Sequence, residues 1–202
     1  MKASVAKALF NSYSYSEYKK VVSDLLEVGK STGMRQSEEL THYTLLNETR
    51  LRRLDKTIKI SEENVSKLHA LKKQYIWLVI AEGWCADGAQ SLPVFDKMAL
   101  ETDGKIDLKI VLRDDNDDVM NDFLTNGARA IPKLIVIDKA TGNVVGDWGP
   151  RPAGAVELIQ NYKKEHGVVD ETAKADLQMW YFHDKGLSTQ NEIMELMQGL
   201  DS

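Results

Sequence analysis

Cys85 is the single cysteine of the 202-residue chain, and it stands between an apolar run and a helix-forming stretch. A thiol at a helix start meets backbone N–H groups that have no intrahelical acceptor. Those groups and the helix field favour thiolate over thiol. Trp84 can shield one side of the sulfur without adding charge. Free cysteine also occurs as a small buried apolar residue, so position alone leaves both roles open. Asp87 competes for the same N–H groups, and its charge opposes ionisation of the thiol, as does that of Glu82 upstream. Arg129 and Lys133 are candidate counterweights. The balance predicts modest thiolate character, with Cys85 alkylated below pH 8 faster than a reference thiol of pKa about 8.5.

The elements around this cysteine alternate. Tyr75–Ala81 is β-branched, aromatic and almost continuously apolar, as an interior strand covered on both faces would be. A helix is expected from about Gly88 to Leu100, a strand over Ile106–Leu112, and a helix from about Asp117 to Leu124. Strands Lys133–Asp138 and Val144–Trp148 follow, separated by a hairpin-length segment containing Gly142. A further helix starts near Pro152 and ends near Gly167. A helical crossover favours a parallel pair and a short turn an antiparallel one, so the sheet should be mixed.

Helices are also expected on either side of this unit. Val21, Val22, Leu25 and Leu26 recur at helical spacing; a second helix runs from about Glu38 to Lys56, and Ser61 suits the N-cap of a third. Behind the unit, helices over about Glu171–His183 and Thr189–Met197 bring enough apolar side chains to require docking or a partner, with Thr189 and Glu192 as a candidate capping box. The division expected is a helical extension over 1–73 packed on the core, a central domain over 74–167, and a helical extension over 168–202.

The segment Ala81-Glu82-Gly83-Trp84-Cys85-Ala86-Asp87-Gly88 resembles the active-site segment of the thioredoxin superfamily. Pro93 resembles the proline that kinks the first active-site helix, and Ile131-Pro132 resembles the cis-proline segment that faces the cysteine. Gly146 and Gly149 resemble, more loosely, the glycine-containing end of the last strand. The resemblance covers about Tyr75 to Gly167 and implies an α/β thioredoxin-like fold, a mixed four-stranded sheet flanked by helices. It implies Cys85 as the nucleophile, with Trp84, Asp87, Gly88, Ile131, Pro132 and Lys133 shaping the site. The departures are as specific. Gly88 occupies the place of the resolving cysteine, and Val79 that of the buried acid. A mixed disulfide on Cys85 would therefore need an external thiol, such as glutathione, to release it. The paired glycines of many glutathione-using relatives are absent around Asp147–Pro150, and Glu82 stands where monothiol peroxidases carry threonine.

The remaining features exclude more than they add. A net charge of −5 lacks the basic field of a nucleic-acid binder, although residues 1–74 carry +5 and the rest −10. The longest apolar run, Ile76–Ala81, is far short of a membrane span, and Lys7 interrupts any apolar segment at the start, so a cytoplasmic protein is expected. The acidic run Asp114–Asp118 lacks the ligand spacing of a calcium loop. His42, His69, His166 and His183 are scattered, and no phosphate-binding glycine loop or serine elbow occurs. No cofactor or metal is expected. Two readings remain: a single-cysteine oxidoreductase acting on a protein or low-molecular-weight thiol or disulfide, and an adaptor module that keeps the scaffold with little turnover.

Overall fold

The computed structural model describes residues 1–201. Four strands, β1 (Tyr75–Ala81), β2 (Ile106–Leu112), β3 (Lys133–Asp138) and β4 (Val144–Trp148), form one mixed sheet in the order β2-β1-β3-β4. β1 runs parallel to β2 and antiparallel to β3, which pairs antiparallel with β4. The helices are α1 (Ala3–Phe10), α2 (Tyr15–Glu27), α3 (Glu38–Thr57), α4 (Glu62–His69), α5 (Ala86–Leu100), α6 (Asp117–Asp122), α7 (Ala153–His166), α8 (Glu171–Asp184) and α9 (Leu187–Leu200). None is long and apolar enough to cross a membrane.

The continuous apolarity of β1 is explained by burial on both sheet faces. Trp77, Val79 and Ala81 enter one core with side chains of α2, α3, α4, α5 and α9; Leu78 and Ile80 enter another with α1 and α6. Each large side chain so buried contributes about 1.5–3 kcal/mol. Phe95 of α5 meets both Trp77 and Trp148 edge-on, with centroids at 6.2 and 5.7 Å, and so ties the first and last strands to the same helix.

The outer edge of β2 is partly covered by Tyr13, which exchanges two 2.8 Å backbone hydrogen bonds with Ile110. α1 is an element the sequence reading lacked. Lys7 interrupts its apolar run, yet Val5 and Ala8 form a short helical stripe, with Lys7 turned out to Asp118 at 3.0 Å.

The expected capping box at Thr189 is not present. α9 starts earlier, with Gly186 as N-cap in a left-handed conformation, and Thr189 is buried within the helix. A Cβ at Gly186 would fall 2.8 Å from Val94, so close packing on α5 sets this start. Glu192 instead accepts hydrogen bonds from the Trp148 indole and the Ala153 N–H, both at 2.7 Å.

Asp201 fastens the far end of α9. It accepts from the Lys72 and Lys73 N–H groups at 2.8 and 3.0 Å and from the Tyr75 hydroxyl at 3.0 Å. Burial opposes the charge, but these donors hold the carboxyl below the usual carboxylate range. Its stabilisation is therefore present at neutral pH and is lost as pH falls through that range. Asp201→Ala should cost about 2 kcal/mol in urea unfolding at pH 7, and the difference from the parent should shrink toward pH 3.

Candidate functional site

Cys85 is the N-cap of α5, which begins at Ala86, two residues before the expected start. Its sulfur accepts a hydrogen bond from the Gly88 N–H at 3.4 Å, and its thiol donates to the Ile131 carbonyl at 3.3 Å. The Ile131–Pro132 and Gly149–Pro150 peptides are both cis. Gly149 is required where it stands: its φ is +126°, and a Cβ there would lie 2.3 Å from the Pro132 carbonyl oxygen.

The sulfur is not activated as the sequence suggested. Cys85 is only 7% exposed, and burial is the main force that pushes its thiol up to about 12. The Asp87 charge pushes the same way; the Gly88 and Asp87 N–H groups and Arg151 oppose it without prevailing. Desolvation of the thiolate thus outweighs the helix start. Iodoacetamide labelling of Cys85 should rise about tenfold per pH unit between pH 7 and 10 without a plateau, while a free thiol levels off above about 8.5. Asp87→Asn should displace that curve toward lower pH, and a plateau below pH 9 in the parent would contradict the burial effect.

Asp87 is itself clamped. The Arg151 Nε and the Tyr181 hydroxyl each donate to its carboxylate at 2.8 Å. α8 thereby delivers Tyr181 into the site from beyond the sheet domain. Trp84 is half-buried, with the Arg113 guanidinium 4.8 Å above its ring. Lys133 is not part of this arrangement: it pairs with Asp147, lies 3.4 Å from the Thr125 hydroxyl and does not line the cleft at Cys85. Its position in β3 places it on the same sheet face as Ile135, on the side whose cluster also holds Cys85 and Ile131, but its ammonium is engaged by Asp147 and Thr125. Arg129 does line the cleft but is bound to Asp117. The acidic run is distributed among cations, with Asp114 on Arg113 and Asp118 on Lys7; among the described residues no cluster of three potential ligands could hold a metal ion.

Residues ahead of β1 support the cysteine loop. Thr32 accepts from the Gly83 N–H at 2.8 Å and donates to Glu82, while the Asn47 amide donates to the Gly83 carbonyl at 2.9 Å. Glu82 also accepts from the Asp114 N–H at 2.9 Å, and burial, the leading influence, raises its pKa. The sequence reading missed Thr32, Asn47, Arg151 and Tyr181 as site residues. One signal was present: Thr44 and Asn47 are polar positions on the buried stripe that continues through Leu51 and Leu54.

α3 and α8 form walls above this floor and enclose a cleft of about 870 Å³ that contains Trp84, Cys85, Asp87 and Ile131. Gly88 leaves room beside the sulfur, since a Cβ there would lie 3.5 Å from the Cys85 Cβ and 3.6 Å from Sγ. Disulfides span Cβ atoms at about 3.5–4.5 Å. Gly88→Cys should therefore oxidise to an intrachain disulfide, read as loss of both titratable thiols under denaturing, non-reducing conditions and their return after reduction.

Solved structures share this architecture, two of them over nearly their whole length. A Pseudomonas aeruginosa protein of unknown function aligns with a TM-score of 0.58 at 17% identity, over 93% of this chain and 98% of its own. An HIV epitope scaffold aligns with a TM-score of 0.56 at 18% identity, over 93% and 99%. No curated protein matches the sequence. A family model described as thioredoxin matches residues 33–163, a span that begins ahead of β1 and takes in α3 and α4.

Proposed function

Because the chain belongs to the thioredoxin family, we propose that it is a thiol–disulfide oxidoreductase that works with one cysteine and an external thiol. The observation that carries this reading is the 3.3 Å contact between Cys85 Sγ and the Ile131 carbonyl at the floor of an open cleft. An extended ligand entering there can meet the sulfur and the Ile131 backbone together. In the forward step the Cys85 thiol loses its proton and its sulfur attacks one sulfur of a bound disulfide. That S–S bond breaks, and the departing thiolate takes up a proton. With Gly88 in place of a second cysteine, a low-molecular-weight thiol must then attack the mixed disulfide and regenerate Cys85.

The raised thiol pKa sets the character of this reaction. At pH 7 burial keeps Cys85 in its thiol form. Reaction with a small disulfide in solution is accordingly slow, and a ligand seated in the cleft gains from being held against the sulfur. The same burial favours a second reading, an adaptor that uses the cleft for recognition and the cysteine only for packing.

Incubation with glutathione disulfide at pH 8, followed by intact mass measurement, separates the two. The exchange reading expects one glutathione adduct, none in Cys85→Ser, and its removal by added glutathione. An unmodified parent after prolonged incubation, with ligand binding retained in Cys85→Ser, would establish the adaptor instead.

A further inference from the structure

The walls of the cleft carry more positive than negative charge. Arg35, Arg50, Arg113, Arg129, Arg151 and Lys174 line it, against Glu39, Asp87, Asp114 and Glu171. Most of these cations are already engaged. Arg113 holds Asp114 at 2.8 Å, Arg129 holds Asp117, Arg151 holds Asp87 at 2.8 Å, and Lys174 holds Glu171 at 2.6 Å. Arg35 and Arg50 make no ion pair with any described residue. Arg35 is exposed; Arg50 is half-buried, a costly place for an unpaired charge.

Arg50 is also fixed. Its Nη1 donates at 2.6 Å to Asn47 Oδ1, and the Asn47 amide in turn donates at 2.9 Å to the Gly83 carbonyl, two residues before Cys85. A chain of two hydrogen bonds thus ties this guanidinium to the cysteine loop and leaves its other donors available. Burial, with Arg53 nearby, lowers its pKa, as expected where no anion compensates the charge. A guanidinium held in this way presents a planar fork suited to a carboxylate. The volume of the cleft, about 870 Å³, lies within the range of about 300–1,000 Å³ usual for small-molecule sites.

We propose that the cleft binds a small carboxylate-bearing thiol or disulfide, with Arg50 as the anchor for its carboxylate and Cys85 at the sulfur end. The identity of the sulfur end rests on the exchange reading above; the carboxylate end rests on Arg50 and its tether.

The test uses the full chain carrying Cys85→Ser, so that binding is measured without sulfur chemistry. The probe is S-methylglutathione, which has two carboxylates and no free thiol, and the readout is titration calorimetry at low and moderate salt. Saturable binding is expected, weakened by added salt and reduced about tenfold or more by Arg50→Gln, the scale of one charge-assisted contact. Arg52→Gln, whose parent side chain is exposed and paired with Glu48 outside the cleft, should change little. Esterifying both carboxylates of the probe should weaken binding at least as much as Arg50→Gln does, which keeps the test decisive if that variant folds poorly. No binding of the acid, or equal binding of acid and ester, would overturn the proposal.

Adduct formation by glutathione disulfide on the parent and on Arg50→Gln separates this inference from the exchange reading. Equal adduct rates in the two would overturn the anchor and leave exchange standing. Carboxylate-dependent binding without any adduct would support the anchor and remove exchange.

Discussion

The Cys85 sulfur sits between two backbone groups, the Gly88 N–H that it accepts from and the Ile131 carbonyl that it donates to. The second bond exists only while the sulfur keeps its proton, so the resting geometry and the raised pKa describe the same state. A thiolate here would lose the carbonyl contact, face the Asp87 charge and remain out of water. The helix start supplies a favourable field, but of the order of a single hydrogen bond, whereas burying a charge costs more than that. Solvation, more than the Trp84–Gly88 segment itself, sets the protonation of this thiol.

The parts of the fold that were legible in sequence are those with a strong period or a hard stop. All four strands have the limits expected: β1 and β3 are dense apolar runs, β2 alternates in part, β4 is set off by the short turn before it, and the mixed sheet followed from connection lengths. Helix ends were harder. Thr189 suits a start for α9 on local grounds, but the chain starts it at Gly186, whose left-handed backbone and closeness to Val94 and Ile58 leave no room for a Cβ. Cys85 and Trp84 could be found from their place between a strand and a helix, and Gly88 and Ile131-Pro132 from the resemblance of their segments to the thioredoxin superfamily. Arg151 and Tyr181 could not, since nothing local marks an arginine or tyrosine whose partner, Asp87, is 64 or 94 residues away. Lys133 was misplaced for a related reason. Its nearness to Pro132 in sequence says little about which partner its ammonium meets, and Asp147 on the neighbouring strand takes it.

The uneven charge of the two ends of the chain has a structural counterpart at several points. Lys2 and Lys7 near the start meet Asp122 and Asp118 of α6, at 3.9 and 3.0 Å. These pairs are exposed and each contributes little, about 0–1 kcal/mol. They orient α1 over the sheet face that holds Ile80 and Val111, beside Met120 of α6, while burial of Val5 and Ala8 stabilises the contact.

Glu192 extends the consequences of this arrangement beyond the sheet. One carboxylate grips the indole at the end of β4 with one oxygen and the leading N–H of α7 with the other. Between those two grips run Gly149, Pro150 and Arg151, the stretch that lies against Pro132 and reaches Asp87. The last helix therefore braces a hairpin of chain whose middle carries the arginine beneath the cysteine. A polypeptide cut short ahead of Glu192 would retain every residue of the Trp84–Gly88 segment and lose the brace that holds its counter-charge.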